Sequence, residues 1–198
     1  MTHPTITLHG TRTSGHTHRV EWLLRLLRLP YRYSEAPASV RASEAFRRLN
    51  PLGQIPVLQD DEQTLCDSNA IMVYLVKRYS PDSDWLPDDP ATAAEVQRWF
   101  SLAAGELKNG PATARLITRW NAPGDLKASQ EIALRFFGFM DQYLAGRNYL
   151  VSDHPTLVDL AHYYYTARAP EGGIALDAFP HINAWLRRME SVPEFPEG

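Results

Sequence analysis

Residues 50–58 read Asn-Pro-Leu-Gly-Gln-Ile-Pro-Val-Leu and, together with residues 67–71, are the most informative part of the chain. The first four residues of the 50–58 stretch are a turn signal, because proline presets one backbone angle and glycine permits a positive one. The rest predicts a short apolar strand entered through Pro56, which cannot donate a hydrogen bond to a sheet ladder. Such a proline belongs at the edge or the entrance of a strand, where a cis peptide bond is an option. Backbone groups beside it would be available to an extended ligand such as a small peptide.

Asp67 and Ser68 follow shortly, at the start of a strongly apolar helical run that is predicted to extend from about Ser68 to Tyr79. Aspartate or serine before such a run predicts a helix N-terminus. A helix N-terminus attracts anions, because its first amide N–H groups have no partner within the helix and the macrodipole is positive there. An edge strand beside this helix start would suit a peptide that carries carboxylates.

Three motifs in this order resemble those of the soluble glutathione transferases, in their bacterial form with a serine in the active site. Residues 53–58 resemble the family's cis-proline segment, with Pro56 as the structural cis-proline. Residues 67–71 resemble its Glu-Ser-x-Ala-Ile motif, with Asp67 in place of glutamate. Residues 155–161 resemble its late Pro-Thr-Ile-Ala-Asp signature. The resemblance covers nearly the whole chain.

The hydrophobic pattern predicts the matching architecture. Residues 1–80 show the order βαβ–α–ββα of a thioredoxin-like, glutathione-binding domain, with one weak helix over 39–49. Residues 81–90 are rich in Pro and Asp, cannot continue a helix and are predicted to be a linker. Residues 91–198 are predicted to be an all-helical domain that contributes the electrophile pocket. The fold class is therefore α/β plus all-α, the glutathione transferase fold.

Apolar side chains at helical spacing predict the core. The first helix buries Val20, Leu23, Leu24 and Leu27 in this prediction, with its arginines on other faces. A capping-box pattern from Thr156 to Asp159 starts a buried helix and is assigned no chemistry. Three stripes in the helical domain are assigned to packing and not to a cofactor: Val96, Trp99, Phe100, Ala103 and Leu107; Ile132, Phe136, Phe139, Met140 and Tyr143; and Ile182, Trp185, Leu186 and Met189.

The composition is that of a soluble globular protein and argues against nucleic-acid binding. With 44% apolar and 22% charged residues the chain is typical of a soluble globular protein, and its net charge of −3 gives no reason to expect nucleic acid. Lys and Arg number ten against seven Asp and Glu over residues 1–80, and ten against sixteen over 81–198, which mildly favours an acidic ligand for the first part. Neither a signal peptide nor a membrane span is evident, so a cytoplasmic location is expected.

Cysteine and histidine usage argues against disulfide and metal chemistry. Cys66 is the one cysteine, so no intrachain disulfide and no dithiol redox chemistry are expected, and it is predicted to be buried. His9, His16 and His18 lie near each other in the sequence, but no cluster of Cys or carboxylates completes a metal site.

The loop over residues 11–16 is where the resemblance places activation of the glutathione sulfur. A free thiol has a pKa near 8.5, so only about 3% is thiolate at pH 7. A hydrogen bond to a charged group contributes about 1.5–3 kcal/mol, and a pKa unit is about 1.4 kcal/mol, so one hydroxyl lowers the thiol pKa by roughly one to two units. Ser14 is the candidate, with Thr11 and Thr13 as rivals; a helix cap is the other interpretation of Ser14. His16 stands where the bacterial Ser-Gly-Asn pattern has asparagine.

The resemblance also implies which residues bind the tripeptide. Val57 would pair through its backbone with the cysteinyl unit, and Ile55 belongs to the same binding segment. Asp67 would face the γ-glutamyl amine and Ser68 the γ-glutamyl carboxylate, unless Ser68 serves only as a helix cap. Gln54 would reach the glycyl carboxylate, with a solvated loop residue as the alternative.

The second substrate would sit between the domains, and its candidate contacts are Arg115, Arg119, Tyr164 and Arg168. The resemblance implies a homodimer that conjugates glutathione, as co-substrate, to a small hydrophobic electrophile without a metal. Two other classes stay open. One is glutathione-dependent disulfide or peroxide reduction, or isomerisation, on the same fold; the other is a non-enzymatic ligand-binding or interaction module.

Overall fold

Residues 5–194 are described by the computed structural model. They divide into two units, one running to Ser83 and including Pro193 and Glu194, the other spanning Asp84–Val192. The buried Trp22 donates from Nε1 to the carbonyl oxygen of Pro193 at 3.3 Å, which attaches the last described residues to the first unit. None of the helices in residues 5–194 combines the length and apolar character needed to cross a membrane.

The first unit has the predicted order of strands and helices. The segment predicted as one weak helix forms two short helices, because Ser43 adopts an extended conformation and caps the second by accepting from the backbone N–H of Phe46. The elements are β1 Ile6–Gly10, α1 Gly15–Leu26, β2 Tyr31–Glu35, α2 Ala38–Ala42, α3 Glu44–Leu49, β3 Val57–Asp60, β4 Gln63–Cys66 and α4 Ser68–Tyr79.

The four strands form one sheet in the order β2-β1-β3-β4. Strands β1 and β2 are parallel, whereas β3 runs antiparallel to both β1 and β4. The expectation of an edge strand at Pro56 is therefore wrong: β3 is an interior strand, and Val57 lies opposite His9 on one side and Cys66 on the other. Pro56 stands at the entrance of β3, where its missing N–H costs no ladder bond.

The end of β1 lies unusually close to the first turn of α1. A Cβ atom on Gly10 would lie 2.2 Å from the Cγ2 atom of Thr17, closer than any real contact. Only a residue without a side chain fits at the end of β1. This contact fixes where α1 begins relative to the sheet, and it therefore positions the loop between β1 and α1.

The second unit is helical throughout its regular elements. A wide π-helical segment, Ala103–Ala112, joins α5 to α6 and contains Pro111, which has no N–H to offer. Gly110 permits close packing there, since a Cβ on it would lie 2.9 Å from the backbone nitrogen of Ala133. The helices are α5 Pro90–Leu102, α6 Thr113–Trp120, α7 Leu126–Leu144, α8 Leu157–Ala167 and α9 Pro180–Glu190, with a 3₁₀ turn at Ala169–Gly172.

Two of the three predicted stripes in this unit are buried as expected, those on α5 and its π-helical extension and on α9. The stripe on α7 is partly wrong, because Ile132, Phe139 and Tyr143 are only half-buried. Helix α7 packs against both the π-helical segment and α9, so its buried face is rotated and wider. That face also includes Ala133, Phe137 and Leu144.

The predicted capping box at the start of α8 is confirmed. Asp159 is fully buried and accepts hydrogen bonds from the backbone N–H of Thr156 at 2.9 Å and of Leu150 at 3.0 Å. It also accepts from the indole Nε1 of Trp185 at 3.0 Å. Its carboxyl therefore joins three parts of the second unit.

Candidate functional site

Ser14 is the N-cap residue of α1, and its hydroxyl oxygen accepts a hydrogen bond from the first turn of the helix. Its backbone is extended, its Oγ accepts from the backbone N–H of Thr17 at 3.3 Å, and its own N–H donates to the carbonyl of Thr11 at 3.1 Å. The cap therefore exists, but it uses only a lone pair of the hydroxyl. The O–H bond remains able to donate to a nearby anion. Ser14 is half-buried, whereas its rival Thr13 is exposed.

Arg12, two residues before Ser14, fastens this loop to the rest of the unit. Its Nη1 lies 2.7 Å and 2.9 Å from the two carboxylate oxygens of Glu21 on α1. Its guanidinium carbon lies 3.6 Å from the centre of the Tyr33 ring on β2, a stacked cation–π contact. Nε lies 3.7 Å from a carboxylate oxygen of Glu35. The loop before Ser14 is thus held to both α1 and β2.

Glu21 is the centre of that attachment. Its side chain is 8% exposed and also accepts from the hydroxyl of Tyr31 at 2.7 Å and from Nη2 of Arg25 at 3.1 Å. Burial alone would raise the pKa of Glu21, but the hydrogen bonds from Tyr31 and Arg12 and the charge of Arg12 hold it below its ordinary value. Burial and the charge of Glu35 raise the pKa of Tyr33, so its phenol stays neutral beneath Arg12.

Helices α1 and α4 meet at the hydroxyl of Ser68. This buried side chain lies 3.3 Å from Nδ1 of His16 and accepts from Nη1 of Arg19, also at 3.3 Å. The same Arg19 nitrogen donates to the side-chain oxygen of Asn69 at 3.1 Å. A buried cation therefore lies beside the N-terminus of α4, where the helix dipole is already positive.

Asp67, and not Ser68, caps α4. Its Oδ1 accepts from the backbone N–H of Asn69 at 2.9 Å and of Ala70 at 3.0 Å. Asp67 has φ +72°, a region that costs a non-glycine residue about 1–3 kcal/mol and is enriched at functional sites. Ser68 is consequently the first helical residue, and its hydroxyl is directed to the junction with α1.

The turn before β3 is organised by Asn50. The buried Asn50 side chain donates to the carbonyl of Gln54 at 2.9 Å and accepts from the backbone N–H of Leu52 at 3.1 Å. The Ile55–Pro56 peptide bond is cis. Ile55 is half-buried and lies just outside the sheet ladder, and the Gln54 side chain is exposed.

Cys66 ends β4 only half-buried, and its Sγ lies 3.5 Å from the carbonyl of Leu49. Burial and the charge of Asp67 raise the pKa of this thiol, so it is protonated at neutral pH. Within residues 5–194 the structure has no group of three or more His, Cys, Asp or Glu side chains that could hold a metal ion.

The four candidate contacts for the second substrate lie together in the second unit, around a residue that the sequence did not single out. Glu171 accepts hydrogen bonds from Arg115, Arg119 and Arg168, and Nη2 of Arg115 lies 3.5 Å from the hydroxyl of Tyr164. Arg115 is buried, which leaves Arg119 and Arg168 as the accessible cations of this group.

Sequence reasoning missed the burial of Arg19 and the central positions of Glu21 and Glu171. Arg19 is 1% exposed, so the prediction that it lies on a face of α1 other than the buried apolar face was wrong. A signal was present, since Arg19 stands four residues before Leu23 and thus on the apolar stripe. The partners of Glu21 lie within ten residues of it, but on a loop and a strand whose approach to α1 depends on the fold, and Glu171 meets Arg115 from 56 positions away.

The depressed pKa of Glu21 yields a pH-dependent prediction. Its carboxylate contributes stability that is fully present above the unfolded-state pKa of about 4.3 and is lost as the pH falls through the lower folded-state pKa. Glu21→Gln should lower the free energy of unfolding at pH 7 by about 1–3 kcal/mol, because Arg12, Arg25 and the Tyr31 hydroxyl lose the buried carboxylate that accepts their hydrogen bonds. The difference in free energy of unfolding between this variant and the parent should shrink below about pH 4, because the carboxylate of the parent is then lost by protonation.

Urea unfolding across this pH range measures the effect. Glu44→Gln is the matched control, since Glu44 forms an exposed pair with Arg48 and should change stability at pH 7 by less than about 0.5 kcal/mol. If the difference in free energy of unfolding between Glu21→Gln and the parent stayed constant down to pH 3, the lowered folded-state pKa of Glu21 would be contradicted.

Comparison with known proteins gives the family. A model of the glutathione S-transferase N-terminal domain matches residues 8–83, and one of the C-terminal domain matches residues 117–193. The chain is 28% identical over 199 residues to glutathione S-transferase GstB of Escherichia coli K12, with 95% of this chain and 94% of that protein covered.

Solved structures agree. A glutathione S-transferase from Pseudomonas fluorescens Pf-5 superposes with a TM-score of 0.91 at 29% identity, covering 97% of this chain and 98% of that one. A theta-class glutathione S-transferase from Xanthomonas axonopodis pv. citri, solved with glutathione bound, superposes with a TM-score of 0.85 at 25% identity, covering 97% and 95%. Since the two domain models together span more than half of its residues, the chain belongs to the glutathione S-transferase family.

Proposed function

We propose that this glutathione S-transferase is of the serine type and conjugates the thiolate of glutathione to a small hydrophobic electrophile, with Ser14 stabilising the thiolate. The observation that carries the proposal is the geometry of Ser14. Its oxygen accepts from Thr17 at the start of α1, and its O–H is left to donate. A sulfur placed beside it receives a hydrogen bond and also faces the positive end of α1.

The hydroxyl need not act as a base. The thiol proton leaves to solvent, Ser14 donates to the sulfur anion, and the anion attacks the electrophile. A charge-assisted hydrogen bond of about 1.5–3 kcal/mol lowers the thiol pKa by roughly one to two units. From a pKa of about 8.5, this raises the thiolate fraction at pH 7 from about 3% to between roughly one quarter and three quarters.

The γ-glutamyl carboxylate is assigned to the junction of α1 and α4. Ser68 Oγ lies 3.3 Å from Nη1 of Arg19 and 3.3 Å from Nδ1 of His16 there, at the N-terminus of α4. Arg19 supplies a positive charge and the Ser68 hydroxyl a hydrogen-bonding group, beside the positive end of the α4 dipole, a combination that favours carboxylates. Asp67 is assigned to the γ-glutamyl amine, because it is exposed and negatively charged at the same helix start.

The cysteinyl backbone is assigned to Ile55 in preference to Val57. Val57 already lies between two strands, whereas Ile55 precedes the cis bond outside the ladder. The exposed Gln54 next to it is assigned to the glycyl carboxylate. Family membership supports three further parts of the proposal: glutathione as co-substrate without a metal, a homodimer, and a cytoplasmic location.

Ser14→Ala tests the donor. It should reduce the rate of conjugation to 1-chloro-2,4-dinitrobenzene by about 10- to 100-fold, because one charge-assisted hydrogen bond to the sulfur is lost. It also removes a helix cap, which costs about 1 kcal/mol of stability. Ser43→Ala is the control for that loss, since Ser43 caps α3 in the same way and should leave the rate unchanged.

Parent-like conjugation by Ser14→Ala would exclude Ser14. Thr11→Val and Thr13→Val, assayed in parallel, would then identify which rival hydroxyl serves the sulfur.

Ser68→Ala tests the carboxylate position separately. It should weaken glutathione binding, measured by isothermal titration calorimetry, by about 10- to 100-fold, since a hydrogen bond to a charged group contributes about 1.5–3 kcal/mol. Ser80→Ala removes a serine at the opposite end of α4 and should leave the affinity unchanged. Equal affinities of the parent and Ser68→Ala for glutathione would refute the assignment.

A further inference from the structure

The hydroxyl of Ser68 lies between two side chains of α1 that compete for it. Its oxygen lies 3.3 Å from Nη1 of Arg19 and 3.3 Å from Nδ1 of His16. A hydroxyl group has one proton to donate and two lone pairs that accept. Ser68 is 4% exposed, so water has little access to the group. The direction of its single O–H bond therefore depends on these two side chains and on a ligand bound beside them.

Arg19 uses one lone pair of this hydroxyl. A guanidinium is always protonated and has no acceptor, so Arg19 can only donate to Ser68. The same Nη1 also donates to the side-chain oxygen of Asn69 at 3.1 Å, and the arginine side chain is buried. One lone pair and one proton of Ser68 remain, and His16 and a bound ligand have to share them.

The protonation state of His16 decides how that sharing turns out. A neutral imidazole has one donor and one acceptor nitrogen, and a protonated one has two donors. When Nδ1 of neutral His16 accepts, it takes the proton of Ser68, and none is left for an anion. When His16 is protonated, Nδ1 donates to the second lone pair of Ser68, and the O–H bond is left for a carboxylate. The added positive charge favours the carboxylate as well.

The charged residues of this junction act on His16 in opposite directions. Arg19 disfavours a second positive charge close to its own, whereas Asp67, the cap residue of α4, favours one. A carboxylate bound at Ser68 would add a further negative charge. The protonated form of His16 is therefore favoured more strongly in the complex than in the free protein.

Other titratable groups near the start of α1 contribute less. In the loop before α1, Arg12 is paired with Glu21, so their charges largely cancel. Cys66, at the end of β4, is protonated at neutral pH because burial and the charge of Asp67 raise the pKa of its thiol. His18 is two residues further along α1 than His16, and residues at that spacing do not face each other.

We propose that His16 is a positioning residue for glutathione: protonated His16 donates to Ser68, and Ser68 then donates its proton to the γ-glutamyl carboxylate. The inference rests on the assignment of that carboxylate to the junction of α1 and α4 proposed above. On binding, the imidazole takes a proton from solvent, and no other covalent bond changes. Since the form with one more proton binds better, the affinity falls as the pH rises through the range near 6.5 where imidazoles titrate.

S-methylglutathione is the probe for this proposal, because its sulfur has no proton to lose. Its carboxylates stay ionised and its amine stays largely protonated between pH 5.5 and 7.0. Isothermal titration calorimetry over this range should show the Kd of the parent rising by about 3- to 10-fold. At pH 6.5, titrations in buffers of different ionisation enthalpy should show that binding takes up a fraction of a proton.

His16→Asn removes the titrating group and keeps an N–H donor beside Ser68. Its Kd for S-methylglutathione should change by less than about 2-fold from pH 5.5 to 7.0 and resemble that of the parent at pH 7.0, without proton uptake. His181→Asn is the matched control. His181 is an exposed histidine in the first turn of α9, and its loss should preserve the pH dependence of the parent.

The proton uptake of the parent needs no variant, so the test holds even if His16→Asn does not fold. A parent Kd that is independent of pH, the absence of proton uptake, or an unchanged pH dependence in folded His16→Asn would overturn the inference and leave the proposed function intact. If the parent bound neither glutathione nor S-methylglutathione at any of these pH values, the proposed function would fail, and this inference with it.

Discussion

The position of the candidate site depends on a contact that leaves no room for a side chain, where Gly10 at the end of β1 meets Thr17 in the first turn of α1. That approach fixes the start of α1 relative to the sheet. Ser14 caps the helix at this point, and His16 and Arg19 follow within its first two turns. Through Ser68, the same turns meet the start of α4. One steric constraint therefore places two helix N-termini in one region of the first unit.

Two helix starts suit a ligand with two negative positions. Each N-terminus contributes about 0.3–1 kcal/mol toward a nearby anion, less than the 1.5–3 kcal/mol of a single charge-assisted hydrogen bond. The side chains at the helix starts therefore contribute more to stabilising a bound anion than the helix dipoles do. Arg12, although close to Ser14 in sequence, is bound to Glu21 and lies near Glu35. Its charge is largely compensated, so its role is to position the loop.

The parts of the structure that depend on local sequence were predictable. Turn chemistry located the entrance to β3, capping residues located α4 and α8, and the order of elements in the first unit followed from the hydrophobic pattern. The errors arose where long-range pairing decides. The interior position of β3 depends on its pairing with β1 from a distant part of the chain, in addition to its local hairpin with β4, and no residue near Pro56 reveals the pairing with β1. The buried face of α7 depends on helices that contact it from two directions.

In the candidate site, too, the features set by local sequence were predictable and those set by distant contacts were not. Ser14, Asp67 and Ser68 could be proposed from the sequence because they stand at helix starts, a feature visible within a few residues. Glu171 could not be proposed in this way, because its partner Arg115 lies 56 positions earlier in the chain. Arg19 was misplaced because an arginine on an apolar stripe is usually a snorkelling surface residue, and here the partners come from the start of α4. Charged residues buried by distant partners carry the least local information.

The most direct test of the account is the pKa of the glutathione thiol when bound to the parent protein, obtained from the ultraviolet absorbance of the thiolate over a pH titration at saturating protein. If Ser14 stabilises the thiolate, the bound thiol should have a pKa roughly one to two units below the free value of about 8.5. Saturable binding with a thiol pKa at or above the free value would contradict the account, because the site would then hold the tripeptide without activating its sulfur.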